Sequence, residues 1–149
     1  MQVLKFGGTS VGQPHRMHQI GDLITRDKAP KIVVLSALSG TTNTLVEICD
    51  LLSKGLQSKA SEIISQLRLH YDKFVEELLE GEIQKENAIS FLNQHFDFLL
   101  STTVTDFNQN QENEILAQGE LMSTKLFKTY LDDKSIAASL LMAPDFMKI

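Results

Sequence analysis

The chain has no tryptophan, a single cysteine and only three prolines in 149 residues. One cysteine, Cys49, excludes an intrachain disulfide and fits a reducing compartment. It falls among Leu45, Ile48 and Leu52 at helical spacing. A small buried apolar residue, rather than a nucleophile, is expected there. The prolines, Pro14, Pro30 and Pro144, all stand where an element is expected to begin or end. No apolar run approaches the ~20 residues that a membrane-spanning helix needs. The opening MQVLKFGG has no signal-peptide core and reads as a strand.

Positive charge is also in short supply. Fourteen Lys and Arg face nineteen Asp and Glu, for a net charge of −5. The basic stripe of a nucleic-acid binder is missing. Lys31, Lys54, Lys59, Lys73, Lys125 and Lys128 are dispersed and read as solvated helix faces. On this reading a cytoplasmic protein with no nucleic-acid or membrane partner is expected. Hydrophobic residues make up 42% of the chain, enough for the core of one compact domain.

The pattern along the chain is α/β. Val3, Leu4 and Phe6 run into Gly7-Gly8, a strand and a tight turn. Met17, Ile20, Leu23 and Ile24 then recur at helix spacing, with Pro14 suited to the first turn. Ile32-Val33-Val34-Leu35 is continuous and β-branched, which predicts a parallel strand buried on both faces. A polar loop, Ser36 to Asn43, leads to a helix through Leu45 and Leu52, with Gly55 as its stop. Two strand–loop–helix units predict right-handed crossovers.

Beyond them a helical hairpin covering the sheet is expected. Its stripes run from Ile63 to Leu78 and from Ala88 to Leu99, separated by Gly81. A further helix holds Ile115, Gly119, Met122 and Leu126, and Ser135 to Leu141 reads as a third buried strand. So small a sheet would leave its edges open. The chain is therefore expected to be one piece of a larger domain.

Three constellations carry possible chemistry. Lys5 precedes Gly7 and Gly8, and Thr9 and Ser10 follow. Glycines free to take positive φ let an anion approach the backbone, and successive N–H groups form an anion-binding concavity. A helix N-terminus and a lysine would add positive charge. This is not a Walker A loop, whose lysine follows the glycines. Phosphate binding and a purely structural turn both fit. The second constellation, Ser36-Ala37-Leu38-Ser39-Gly40-Thr41-Thr42-Asn43, would open on the same sheet edge, where ligands of α/β folds bind. Turn and N-cap chemistry also accounts for it. In the third, Glu120 and Ser123 share a helix face, flanked by Leu116 and Phe127. A glutamate among apolar neighbours needs a partner. A substrate ammonium would serve, as would a Lys or Arg of the fold.

The histidines suggest less. His15 and His18 have no nearby carboxylate pair to complete a metal site, so no metal ligands are assigned. His70 and His95 are expected at the edge of the core.

The run Val3-Leu4-Lys5-Phe6-Gly7-Gly8-Thr9-Ser10-Val11 resembles the N-terminal signature of aspartate kinases. Val33-Val34-Leu35-Ser36-Ala37 with Gly40, Thr42 and Asn43 resembles their second loop, and Gly119-Glu120-Leu121-Met122-Ser123 their third motif. The early start of the first strand is similar to bifunctional forms fused to homoserine dehydrogenase. The resemblance implies a three-layer αβα sandwich of the amino-acid kinase type, of which residues 1–149 would be a helix-rich N-terminal part. The nucleotide pocket and the regulatory domains would lie outside it. It implies transfer of the ATP γ-phosphoryl group to the β-carboxylate of L-aspartate, with Mg²⁺, in a homo-oligomeric full-length protein. Lys5 would be catalytic, neutralising the transferring group. Gly7, Gly8, Thr9, Ser10, Ser36 and Gly40 would hold phosphate, and Ser36, Thr42 and Glu120 would hold the substrate. The 149 residues alone would then have little or no activity. Phosphotransfer to another small acceptor, and a noncatalytic binding domain of the same fold, are the alternatives.

Overall fold

The computed structural model describes residues 1–147. β1 (Gln2–Phe6) is followed by the single turn α1 (Gly8–Val11) and by α2 (Pro14–Ile24). β2 (Lys31–Leu35) leads to α3 (Thr41–Ser53), and α4 (Gln57–Leu78) and α5 (Glu82–Ser101) follow. α6 (Gln109–Asp133) and the short α7 (Ala143–Phe146) complete it.

β1 and β2 pair in parallel, with Val3 opposite Ile32, Lys5 opposite Val34 and Phe6 opposite Leu35. Phe6, Val33 and Leu35 face the core. On the other face Val3 is 66% exposed, and Ile32 and Val34 are 42% exposed. The expectation that β2 is buried on both faces is therefore wrong. Helices cover one face of the strand pair, and the other face is left largely open.

The expected third strand, Ser135–Leu141, is absent too. Ser135 has a φ of 55° and ends α6 instead. Its N–H donates to Asp132 O at 3.0 Å, and that of Ile136 donates to Leu131 O at 2.8 Å. This pair of bonds closes a helix with a left-handed residue. The next residues line an open cleft together with β2. With space where a neighbour would be, they form no ladder.

The helices follow their apolar stripes. Pro14 starts α2, as its missing N–H allows. Gly55, at φ 72°, ends α3, and the N–H of Leu56 donates to Leu51 O at 2.9 Å. Gly81 precedes α5. The Asp133 carboxylate accepts from the N–H groups of Glu80 and Gly81, both at 2.9 Å, and so ties the turn between α4 and α5 to the far end of α6. The α4–α5 hairpin packs chiefly on α2, α3 and α6, and α6 is the helix that packs on β2. The hairpin is thus a layer behind the helices that adjoin the sheet, rather than a direct cover for it. Tyr71, Phe96, Leu45 and Met122 are fully buried between these layers. Cys49 is buried as expected, and desolvation raises its thiol to about 11.

Candidate active site

Parallel pairing puts the ends of β1 and β2 on one edge, so the loops that follow them meet. The Ser36 N–H donates to Phe6 O at 3.0 Å. A Cβ on Gly8 would lie 3.2 Å from Ala37 O, so glycine lets α1 press against the second loop. The third motif arrives on α6. Ser123 Oγ donates to Ser36 O at 2.7 Å. A Cβ on Gly119 would lie 2.9 Å from that of Ala37.

Lys5, Ser36 and Glu120, one residue from each motif, line a single cleft of about 950 Å³. That volume suits a small-molecule ligand. β2 and residues 136–142 both line it, and Phe127 and Leu131 of α6 add apolar surface. Lys28, Lys31 and Lys128 also line it, and Glu120 is the one acid among the lining residues. A chain of net charge −5 thus gathers four lysines around one opening. Lys31 pairs with Asp27 at 2.6 Å, and this bond holds the exposed Asp27 carboxyl below its usual range. Lys128 pairs with Asp132. Lys5 and Glu120 make no ion pair among the described residues, and both are exposed. No Lys or Arg among the described residues pairs with Glu120, which is exposed rather than set among apolar neighbours as its sequence position suggested.

The other expected site residues do not line this cleft. Gly7 caps α1 in extended conformation, with φ −76°, and only Gly40 and Gly55 among the glycines have positive φ. The positive φ expected at Gly7 and Gly8 is therefore absent. Their use is space: nothing lies within 4 Å of a Cβ placed on Gly7, so its backbone is open to a ligand. Thr9 is exposed and Ser10 half-buried in the same turn. Gly40, at φ 82°, caps α3 and lines a separate groove of about 400 Å³ with Thr44, Glu47 and His70. Thr42 is exposed in the first turn of α3 and lines neither opening.

The histidines divide. His70 is exposed, against expectation, whereas His95 is buried. His18 Nε2 is hydrogen-bonded to Leu78 O at 3.0 Å, and its ring stacks on Tyr130. The four cleft lysines were missed as a group, because they come from separate elements and only the tertiary fold collects them. Lys31 was read as solvated, yet its side chain is 8% exposed.

A family model described as the amino acid kinase family matches residues 1–148. The chain belongs to the amino acid kinase family. It is 32% identical over 142 residues to the lysine-sensitive aspartokinase 3 of Escherichia coli K12, covering 91% of this chain and 29% of that protein. It is 32% identical over 129 residues to an aspartokinase of Chlamydia trachomatis, covering 86% of this chain and 27% of that one. Among solved structures, E. coli aspartokinase III with lysine and aspartate superposes with a TM-score of 0.73 at 28% identity, over 92% of this chain and 30% of that one. The same enzyme with aspartate and ADP gives 0.67 at 28% identity, over 91% and 29%. This family member therefore has the amino-acid kinase fold and is similar to aspartokinases, while spanning about 29% of the first relative's length. No helix among the described residues is long and apolar enough to cross a membrane.

Proposed function

We propose that this chain is part of an aspartate kinase, which transfers the γ-phosphoryl group of MgATP to the β-carboxylate of L-aspartate and releases ADP and 4-phospho-L-aspartate. The observation that carries the reading is the convergence of Lys5, Ser36 and Glu120 on one lysine-rich cleft. The likeness to an aspartokinase crystallised with aspartate and ADP supports the choice of substrates.

The acceptor carboxylate is ionised at neutral pH, so the reaction needs no general base. Its oxygen attacks the γ-phosphorus as the bond to the bridging oxygen breaks, and ADP leaves with that electron pair. The transition state is loose, and catalysis consists of positioning and charge stabilisation. Lys5, the cleft lysine one residue from the end of β1, offsets the repulsion between two approaching anions. The open backbone at Gly7 and the adjoining Gly8, Thr9 and Ser10 offer donors to phosphate oxygens. Ser36 contacts the acceptor or the transferring group, and Glu120 receives the α-ammonium of aspartate. Mg²⁺ arrives with the nucleotide. Such an ion would be held mainly through the substrate's phosphates.

Aspartate-dependent ADP release by the complete gene product tests this reading. Lys5→Ala is expected to lower kcat by roughly a hundredfold, the loss typical of one removed charge-stabilising donor, with a smaller change in KM for aspartate. ADP release indifferent to aspartate, or to Lys5→Ala, would overturn it. The 149 residues alone are expected to turn over little or not at all.

A further inference from the structure

The Ser36 peptide is held from two sides. Its N–H donates to Phe6 O at 3.0 Å, which ties it to the end of β1. Its carbonyl accepts from Ser123 Oγ at 2.7 Å, across 87 positions of sequence. Ser123 is 0% exposed, and its oxygen also lies 3.2 Å from Glu120 O within α6. One helical turn earlier, Gly119 lets α6 lie flush on Ala37. Two positions on one face of α6 thus grip Ser36 and Ala37. Among the described residues the Ser36 hydroxyl itself has no hydrogen-bond partner, and Ser36 lines the cleft. An alanine at position 123 would fill most of the same space with better helix propensity. The hydroxyl adds something that helix packing does not require, namely a fixed address for the Ser36 carbonyl.

We propose that Ser123 is a positioning residue for phosphoryl transfer: its buried hydroxyl holds the Ser36 carbonyl so that the Ser36 side chain stands in the cleft shared with Lys5 and Glu120. This rests on the phosphotransfer reading above. Without the bond, the Ser36 loop has one anchor instead of two. A misplacement of about 1 Å can cost on the order of a hundredfold in rate.

Steady-state kinetics of the complete gene product, with Ser123→Ala and Ser36→Ala made singly and together, tests the proposal. Ser123→Ala is expected to lower kcat about tenfold, with KM for MgATP within about twofold of the unmodified protein. Because Ser123 acts through Ser36, the double variant should be no slower than Ser36→Ala alone. A general weakening of the fold would instead make the two losses multiply. If Ser123→Ala does not fold, the same cycle is run with Ser123→Cys, whose thiol is of similar size and donates weakly. Multiplied losses, a Ser123 variant with unchanged kcat, or a kcat insensitive to Ser36→Ala would each overturn the positional role. An unmodified protein without aspartate-dependent turnover overturns the phosphotransfer reading instead. The grip on Ser36 is then judged by hydrogen exchange at Ala37 and Leu38, which must quicken in Ser123→Ala if the grip is real.

Discussion

Lys125 donates a hydrogen bond from its ammonium to Nε2 of His95 at 2.9 Å. That nitrogen must therefore be bare, and the ring proton sits on Nδ1, which donates to Gln118 Oε1 at 2.6 Å. Gln118 is fixed in turn, since its Nε2 donates to Glu114 O at 3.0 Å. Lys125 also lies over the Phe91 ring, 5.9 Å from its centre. A neutral imidazole thus bridges α5 and α6. Burial first, and the Lys125 charge in addition, hold the His95 pKa below its ordinary 6.5, against the opposing hydrogen bond to Gln118.

This arrangement predicts acid sensitivity of a definite sign. In the folded chain His95 resists protonation, whereas in the unfolded chain it titrates near ~6.5. The unfolded state then binds more protons as pH falls, and stability drops with it. The contribution is fully present above the unfolded value and is lost progressively below it. Urea unfolding at pH 7.5 and pH 5.5 should show lower stability at the acid end, and His95→Gln should reduce the difference. An equal pH dependence in both proteins would refute the assignment.

Gly119 predicts a substitution whose two effects oppose each other. In a helix interior, alanine is favoured over glycine by about 1 kcal/mol. At this position the new methyl would meet Ala37 Cβ at 2.9 Å, Thr41 Cγ2 at 3.3 Å and Leu45 Cδ1 at 3.4 Å. Overpacking of that kind costs about 1–3 kcal/mol. Gly119→Ala should therefore be neutral to destabilising by up to about 2 kcal/mol. Thermal denaturation decides it, and a raised melting temperature would show that α6 can shift away from the loop.

Ser135 predicts the reverse. It adopts φ 55° at the end of α6, a conformation that glycine takes without penalty. Ser135→Gly should stabilise the chain by about 1 kcal/mol, the scale of the left-handed penalty for a residue with a side chain. A melting temperature unchanged or lowered would count against this.

The helices were legible because each carries an apolar stripe long enough to set its period. The stripe from Ile63 to Leu78 became α4, and that from Ile115 to Leu126 lies within α6. The residues that meet in the cleft were legible in part, since Lys5 and Ser36 stand at strand ends and Glu120 falls in a marked motif. Ser135–Leu141 failed for a physical reason. A β-branched or apolar run says that a segment can pair, whereas pairing itself depends on a neighbour that local sequence does not name. Val34 shows the same limit: the run Ile32–Leu35 suggests burial on both faces, yet Val34 is 42% exposed. The lysines around the cleft were hidden most completely, because no spacing rule connects Lys5, Lys28, Lys31 and Lys128.

The register of β1 on β2 has a consequence for where charge is carried. Lys5 stands beside Val34 on the open face, and Phe6 stands beside Leu35 on the core face. Side chains alternate with period two, so loss of one residue from β1 would exchange these positions. The ammonium would then be driven among apolar side chains, and a phenyl ring would replace it at the cleft. The hydrogen-bond ladder therefore acts as a reading frame for the site: a slip of one step would leave the composition of β1 almost unchanged and still erase the cation on which the proposed chemistry depends.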